Sequence, residues 1–163
     1  MKNRELRKWI GPFVAACAIT ALAVPAQANE SVIAESEVPA PVLAAVKKQY
    51  PSARLLKFEV ESAHGKRLYE VKLRDGERAL EAKLTAQGEL LEEEEQITEK
   101  DLPEPVRKSL AASPYAKAAI KKIERVVHKD KKDQQTFEIK VTQGNKTVEL
   151  LYDAAGKLLA TEA

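Results

Sequence analysis

The chain has 163 residues, with 27 Lys and Arg against 25 Asp and Glu, 44% hydrophobic residues, 5% aromatic residues and a single Cys. This length and composition exclude a large multidomain enzyme, a collagen-like or low-complexity fibre, and a small domain built around disulfides. The formal net charge is +2 for the whole chain. Removal of an N-terminal targeting segment would change this charge, so the N-terminus is considered first.

Residues 1–28 have the pattern of a secretory signal peptide. Four basic residues precede an uncharged run over residues 9–24, and Ala26-Gln27-Ala28 then places small residues around a cleavage position. We expect cleavage after Ala28 and export to the bacterial periplasm. One alternative is a retained membrane anchor, for which the apolar run is short. Another is a lipoprotein acylated at Cys17. The apolar run continues well beyond Cys17, which argues against this alternative.

Cleavage after Ala28 changes the chemistry of the chain. It removes the only Cys, which excludes thiol nucleophiles and disulfides, and leaves 23 basic against 24 acidic residues. We expect residues 29–37 to be a disordered lead-in. Residues 38–101 carry a net charge of −2 and residues 102–163 a net charge of +4, so we expect these two parts to bind different partners.

The mature sequence contains one pattern twice. Val38-Pro39-Ala40-Pro41-Val42 recurs as Leu102-Pro103-Glu104-Pro105-Val106, and Tyr69-Glu70-Val71-Lys72 recurs as Phe137-Glu138-Ile139-Lys140. The offset is 64 residues for the first pair and 68 for the second, so the second copy has four additional residues between its helix and its second strand. Order and chemistry agree over the whole length, which indicates an internal repeat.

Each copy begins with a short helix pattern. Val42 and Val46 share a face before Pro51 ends the first segment, and Val106 and Leu110 share a face in the second. Three strands with alternating apolar residues follow each helix. These residues are Leu56, Phe58, Val60, Tyr69, Val71, Leu73, Leu80, Ala82 and Leu84 in the first copy, and Ile123, Phe137, Ile139, Val141, Val148, Leu150 and Tyr152 in the second.

A short fourth strand closes each copy, at residues 89–92 and around Leu158-Leu159. We therefore predict an α+β fold of two tandem repeats, residues 38–101 and 102–163, each a short helix packed on an antiparallel four-stranded meander. The acidic residues 93–101 are predicted to link the repeats in a preferred orientation, because the segment is not rich in Gly or Ser.

The closing hairpin at residues 148–159 combines an alternating strand, an Asp153-x-x-Gly156 turn and a short apolar strand. Residues 80–91 repeat it more weakly, with Thr85 in place of the turn Asp. This pattern resembles the PepSY and PepSY-like families, the latter related in fold to the beta-lactamase inhibitor protein. The resemblance covers about residues 38–161. It implies an exported, non-catalytic domain that binds and restrains a peptidase or another envelope protein, in which Asp153 and Gly156 shape a turn.

The sequence contains no recognisable catalytic, cofactor-binding or metal-binding set. His64 and His128 could bind a metal with Glu61 or Asp130, but the spacing of structural metal sites is missing, so we interpret both as exposed turn histidines. The acidic run Glu92-Glu93-Glu94-Glu95 is interpreted as a solvated surface. The basic residues Lys121, Lys122, Arg125, Lys129, Lys131 and Lys132 are interpreted in the same way, with an acidic partner or anionic lipid as the alternative.

Together these features predict an exported periplasmic binding module without enzymatic activity or a cofactor. We expect a protein partner in the bacterial envelope, which the module inhibits or regulates, and we expect neither nucleic-acid binding nor a membrane span after cleavage. The alternative is a sensor or carrier of a small molecule or a metal cation.

Overall fold

A computed structural model describes residues 29–63 and 66–162 of the chain. The predicted signal peptide, its Cys17 alternative and His64 lie outside the described residues. The described part contains β1 (Asn29–Ile33), α1 (Ala40–Gln49), β2 (Arg54–Ala63), β3 (Lys66–Asp75), β4 (Arg78–Thr85), β5 (Leu90–Gln96), α2 (Glu104–Ala112), β6 (Ala119–His128), β7 (Gln134–Gln143), β8 (Lys146–Asp153) and β9 (Leu158–Glu162). Neither of these helices has the length and apolar character that crossing a membrane requires.

All nine strands form one antiparallel sheet in chain order, from β1 at one edge to β9 at the other. The α+β class and the antiparallel order are confirmed. The two halves do not form separate sheets, however, because β5 pairs with β6 from Glu92 opposite His128 to Gln96 opposite Glu124. Residues 93–96 of the segment predicted to be a link therefore belong to the central strand, which holds the two halves together through backbone hydrogen bonds.

Both helices lie on the same face of the sheet. Residues that pair across antiparallel strands share a face, and the pairs connect Leu80 to Glu95, Glu95 to Arg125, and Arg125 to Phe137. Leu80 lies in the core under α1 and Phe137 in the core under α2. The helix predictions are confirmed, since Val42, Val46, Val106 and Leu110 are buried in these cores. Each helix is too short to be stable alone and depends on the sheet.

The apolar alternation is confirmed at all but one predicted strand position. Leu56 is 49% exposed, because a register shift in the β2–β3 pairing between Leu55 and Lys57 inserts an additional residue there. Leu55 packs against the core in its place, and the alternation resumes at Phe58. An alternating pattern cannot reveal such a bulge, since one additional residue exchanges the two faces.

The prediction that residues 29–37 are a disordered lead-in is wrong. Residues 29–33 form β1, which pairs along β2, and Glu35–Glu37 form a turn of 3-10 helix before α1. Ile33 lies opposite Phe58 and packs against the first core, which explains why this short edge strand is ordered. The composition of the segment is polar, but a single apolar contact and five backbone pairs are enough to hold it on the sheet.

The turns before β5 and β9 share one geometry despite their different sequences. Asp153 accepts a hydrogen bond on its carboxylate from the Lys157 amide at 2.9 Å, and the Thr85 hydroxyl accepts one from the Glu89 amide at 3.2 Å. Threonine thus replaces the missing turn Asp of the first copy. Gly88 and Gly156 follow, both with positive φ.

These two glycines also approach the helices closely. A Cβ on Gly88 would lie 2.5 Å from the carbonyl oxygen of Pro41 in α1, and a Cβ on Gly156 would lie 2.5 Å from that of Pro105 in α2. Each glycine therefore allows a closing turn to pack directly on a helix N-terminus. Gly76 also has positive φ, but a Cβ there would meet nothing within 4 Å.

This difference provides a matched test of helix docking. We expect Gly76→Ala to cost about 1–2 kcal/mol, since only the backbone conformation is strained. Gly88→Ala or Gly156→Ala should cost about 3 kcal/mol or more, because the methyl group also pushes the helix away. Urea unfolding followed by circular dichroism measures both. Equal losses for Gly76→Ala and Gly88→Ala would contradict the close helix contact.

Candidate functional site

The face of the sheet opposite the helices carries a charged cleft of about 540 Å³, to which all nine strands contribute. We call it the acidic cleft. It is lined by ten glutamates, four lysines and one histidine, namely Glu30, Glu61, Glu70, Glu81, Glu92, Glu94, Glu124, Glu138, Glu149, Glu162, Lys72, Lys83, Lys122, Lys140 and His128. On β3, β4, β7 and β8 these residues alternate with buried core residues, so the same period that builds the core places these side chains together.

Each lysine of the acidic cleft is engaged by neighbouring carboxylates. The Lys72 ammonium contacts Glu59, Glu70 and Glu81 at 3.0–3.2 Å. Lys83 contacts Glu61 and Glu92 at 3.4 and 3.5 Å, Lys122 contacts Glu81 and Glu124 at 3.1 and 2.6 Å, and Lys140 contacts Glu149 at 3.0 Å. All four lysines of the acidic cleft are therefore paired with carboxylates, and the glutamates outnumber them.

Glu94 on β5 lies at the centre of this excess charge. Its cross-strand neighbours are Glu81 and Val126, and Val126 is only 1% exposed. Carboxylate oxygens of Glu81, Glu94 and Glu124 all lie within 4.8 Å of one another. Burial, followed by the negative charges of Glu138, Glu124 and Glu81, raises the pKa of Glu94 to about 8, although the charge of Lys83 opposes the rise. Glu94 is thus mostly protonated at neutral pH.

Two further glutamates retain protons for similar reasons. Burial and the neighbouring Glu81 raise the pKa of Glu70 to about 7 against the opposing charge of Lys72. Burial alone would raise the pKa of Glu81, but hydrogen bonds from Glu70 and the lysines outweigh it and lower that pKa, so this pair shares one proton. Burial and the charge of Glu149 raise the pKa of Glu138 to about 7.

His128 lies at the end of β6 and not in an exposed turn, so that prediction is wrong. Its side chain is 15% exposed, with Nδ1 at 3.0 Å from Glu92 and Nε2 at 2.9 Å from the Thr136 hydroxyl. Thr136 is itself only 4% exposed, so the imidazole satisfies a buried hydroxyl at the wall of the acidic cleft. Both ring nitrogens of His128 therefore have a hydrogen-bond partner.

On the helix side of β5, the glutamates are paired with hydrogen-bond donors and basic side chains. Glu93 accepts a hydrogen bond from the buried Tyr50 hydroxyl, and Glu95 is paired with Arg78 at 3.1 Å and with Arg125. The acidic run is therefore no uniform solvated surface, because alternate members face the helices and the cleft. The basic residues divide in the same way: Arg125 lies on the helix face, whereas Lys122 lies in the cleft.

A family model described as "Putative beta-lactamase-inhibitor-like, PepSY-like" matches residues 26–92 and, in a second overlapping match, residues 67–160. The chain belongs to the PepSY-like family. The resemblance inferred from the closing hairpins is thus confirmed, and the two matches together cover residues 26–160. A search of curated proteins found no match.

Solved structures similar to this PepSY-like chain come from Bacteroides species. A protein from Bacteroides eggerthii described as a "putative periplasmic" protein is 20% identical, with a TM-score of 0.67, over 77% of this chain and 88% of its own. A DUF2874 family protein from Bacteroides uniformis is 21% identical, with a TM-score of 0.65, over 76% and 88%. A BLIP-like protein from Bacteroides fragilis is 24% identical, with a TM-score of 0.60, over 75% and 83%. At these identities the likeness establishes the fold.

The residues of the acidic cleft could not be recognised as a binding site in the sequence. They are spread over nine strands and converge only when β5 pairs with β6. One signal was available: Glu92 and Glu94 are two positions apart in a segment that can be a strand, so both must lie on one face. Treating residues 93–101 as a link hid that signal.

The retained protons make stability depend on pH. Glu70, Glu94 and Glu138 have pKa values of about 7 to 8 in the folded chain against an ordinary value of 4.5. At a pH between 4.5 and these raised values, the chain therefore takes up protons when it folds. A raised carboxyl pKa contributes stability that is present at low pH and lost as the pH rises through 7 to 8. We expect the free energy of unfolding to fall from pH 6 to pH 9.

Glu94→Gln should flatten this fall, because the amide resembles the protonated acid. The variant should match the natural chain only near pH 4, where this carboxyl is protonated in both states, and its stability advantage should be larger at pH 9 than at pH 6 by about 1 kcal/mol or more. Glu104→Gln, on the exposed outer surface of α2, is the control and should not change the slope. Denaturant unfolding at several pH values measures the effect, and parallel slopes for all three proteins would contradict it.

Proposed function

We propose that this chain is an exported, non-catalytic binding module of the bacterial periplasm, which inhibits or regulates a peptidase or another envelope protein through the acidic cleft. The observation that carries the proposal is the excess of negative charge over the whole open face of the sheet, where burial and mutual repulsion keep carboxyls protonated. A charged face of this kind costs stability, which is typical of a surface kept for binding. The inhibitor-like description of the family supports the same function.

A periplasmic location agrees with the N-terminal sequence. Basic residues, an apolar run and Ala26-Gln27-Ala28 form the pattern of a cleaved signal. The similar Bacteroides eggerthii protein is described as a "putative periplasmic" protein. Mass spectrometry of the purified mature chain distinguishes an N-terminus at Asn29 from a lipid-modified Cys17.

We further infer that the two halves are copies of one unit, each a helix on a four-stranded meander, with β1 as an addition to the first. The contact of Gly88 with Pro41 and that of Gly156 with Pro105 support this, because the same turn packs on the same helix position in each half. The Thr85 and Asp153 turns support it as well. The shared unit would give the module one extended face made of two similar parts.

A sensor or carrier of a small molecule or metal cation is the alternative use of the cleft. The observation in its favour is the group of three carboxylates formed by Glu81, Glu94 and Glu124. Against a metal, the Lys122 ammonium already lies 3.1 Å from Glu81 and 2.6 Å from Glu124, so a cation occupies that side of the group. Thermal unfolding with Ca²⁺, Mg²⁺ or Zn²⁺ tests it, since a metal ligand would raise the Tm at modest concentration.

Affinity capture from the envelope of the source bacterium tests the protein partner. We expect the tagged mature chain to retain one envelope protein in near-stoichiometric amount, and the Glu94→Gln/Glu138→Gln variant to retain much less of it. Glu104→Gln should retain as much as the natural chain, since Glu104 lies on the helix side of the molecule. Equal capture by the cleft variant, or no stoichiometric protein at all, would contradict the proposal.

A further inference from the structure

The acidic cleft has more negative charge than its own lysines can neutralise. Its ten glutamates face four lysines, and each of those lysines already contacts at least one carboxylate. Within residues 29–63 and 66–162, the Glu94 carboxylate has neither a hydrogen bond nor an ion pair, and only burial and the neighbouring charges act on it. The natural complement of this surface is a group of positive charges from outside the chain.

The acids that retain protons are arranged over the whole cleft. Glu70, Glu94 and Glu138 lie on β3, β5 and β7, and the strand pairing places them along a diagonal. Alternate strands are about 10 Å apart, and the diagonal adds one step along the strand, so neighbouring members are separated by about 10–12 Å. A single small cation can neutralise one of them, whereas three require several linked charges.

We propose that the acidic cleft docks an extended polypeptide segment with Lys or Arg at about every fourth position, and that docking is coupled to proton release. This inference rests on the proposed binding function and names the chemistry of the partner. An extended chain advances about 3.3 Å per residue and directs alternate side chains to opposite faces. A spacing of four residues, about 13 Å, therefore keeps the basic side chains on one face and reaches the neighbouring member of the diagonal. At the central position, Lys122 already contacts Glu81 and Glu124, so the Glu94 carboxylate beside them is the group that can accept a hydrogen bond from an incoming ammonium or guanidinium group.

Proton release follows from the groups that surround Glu94. Glu81 and Lys83 face it from β4, Glu124 and Val126 from β6, and Glu138 from β7. Adding a positive charge there lowers the pKa of Glu94 from about 8, so at neutral pH the carboxyl loses its proton as the segment binds. The affinity for the basic segment therefore rises from pH 6 to pH 8.5, because Glu94 is increasingly ionised before the segment binds.

Calorimetry with a synthetic probe tests the docking. The probe is a nine-residue peptide in which three lysines are each separated by three serines, so that all three share one face of the extended chain, and it is titrated into the mature chain at low salt. We expect binding that is at least about ten-fold tighter at pH 8.5 than at pH 6, and a dependence on buffer ionisation enthalpy that reports released protons. Glu94→Gln/Glu138→Gln should weaken binding about ten-fold or more, and Glu104→Gln should leave it unchanged. Denaturant unfolding of each variant verifies that it is folded.

The controls separate this inference from the proposed function. Binding of spermidine or Mg²⁺ as tightly as the peptide would overturn the inference in favour of a simple cation, and so would peptide binding that ignores the cleft variant or the pH. If the peptide fails while affinity capture still yields a cleft-dependent envelope protein, the binding function stands and the partner chemistry is wrong. If the peptide binds but no envelope protein is captured, the cleft chemistry stands and the proposed partner class is wrong.

Discussion

The pairing of β5 with β6 is the interaction on which the rest of the structure depends. It joins two small cores into one nine-stranded sheet and places both helices on one side. It also makes β5 an interior strand with two neighbours, so its alternate glutamates must face either the helix side or the open side. Without this pairing, the residues of the acidic cleft would belong to two separate surfaces.

The glutamates on the two faces of β5 have opposite environments. On the helix side, Tyr50 and Arg78 bind Glu93, and Arg78 and Arg125 bind Glu95, which fills the space between the two cores with satisfied polar groups. On the open side, Glu94 lacks such a partner within the described residues and is protonated instead. The first arrangement stabilises the junction, whereas the second leaves charge available for a ligand.

Much of the fold follows from sequence periodicity, because helices and strands with one buried face impose it. The helix positions Val42 and Val46 and the strand positions Val71 and Leu73 could be predicted for that reason. The bulge at Leu56 and the edge strand β1 could not, since both depend on where a neighbouring strand lies. The pairing of β5 with β6 is likewise non-local, and the cleft could not be predicted without it.

The opposite net charges of the two halves suggested different ligands, and the arrangement of the side chains leads to another conclusion. Of the basic residues in the second half, only Lys122 and Lys140 line the acidic cleft, and both are held by glutamates. The cleft is therefore acidic across both halves, although the second half is basic as a whole. Charge summed over a segment describes its solubility and its long-range field, but binding depends on which face each charge occupies. A single partner that spans both halves is consistent with this distribution.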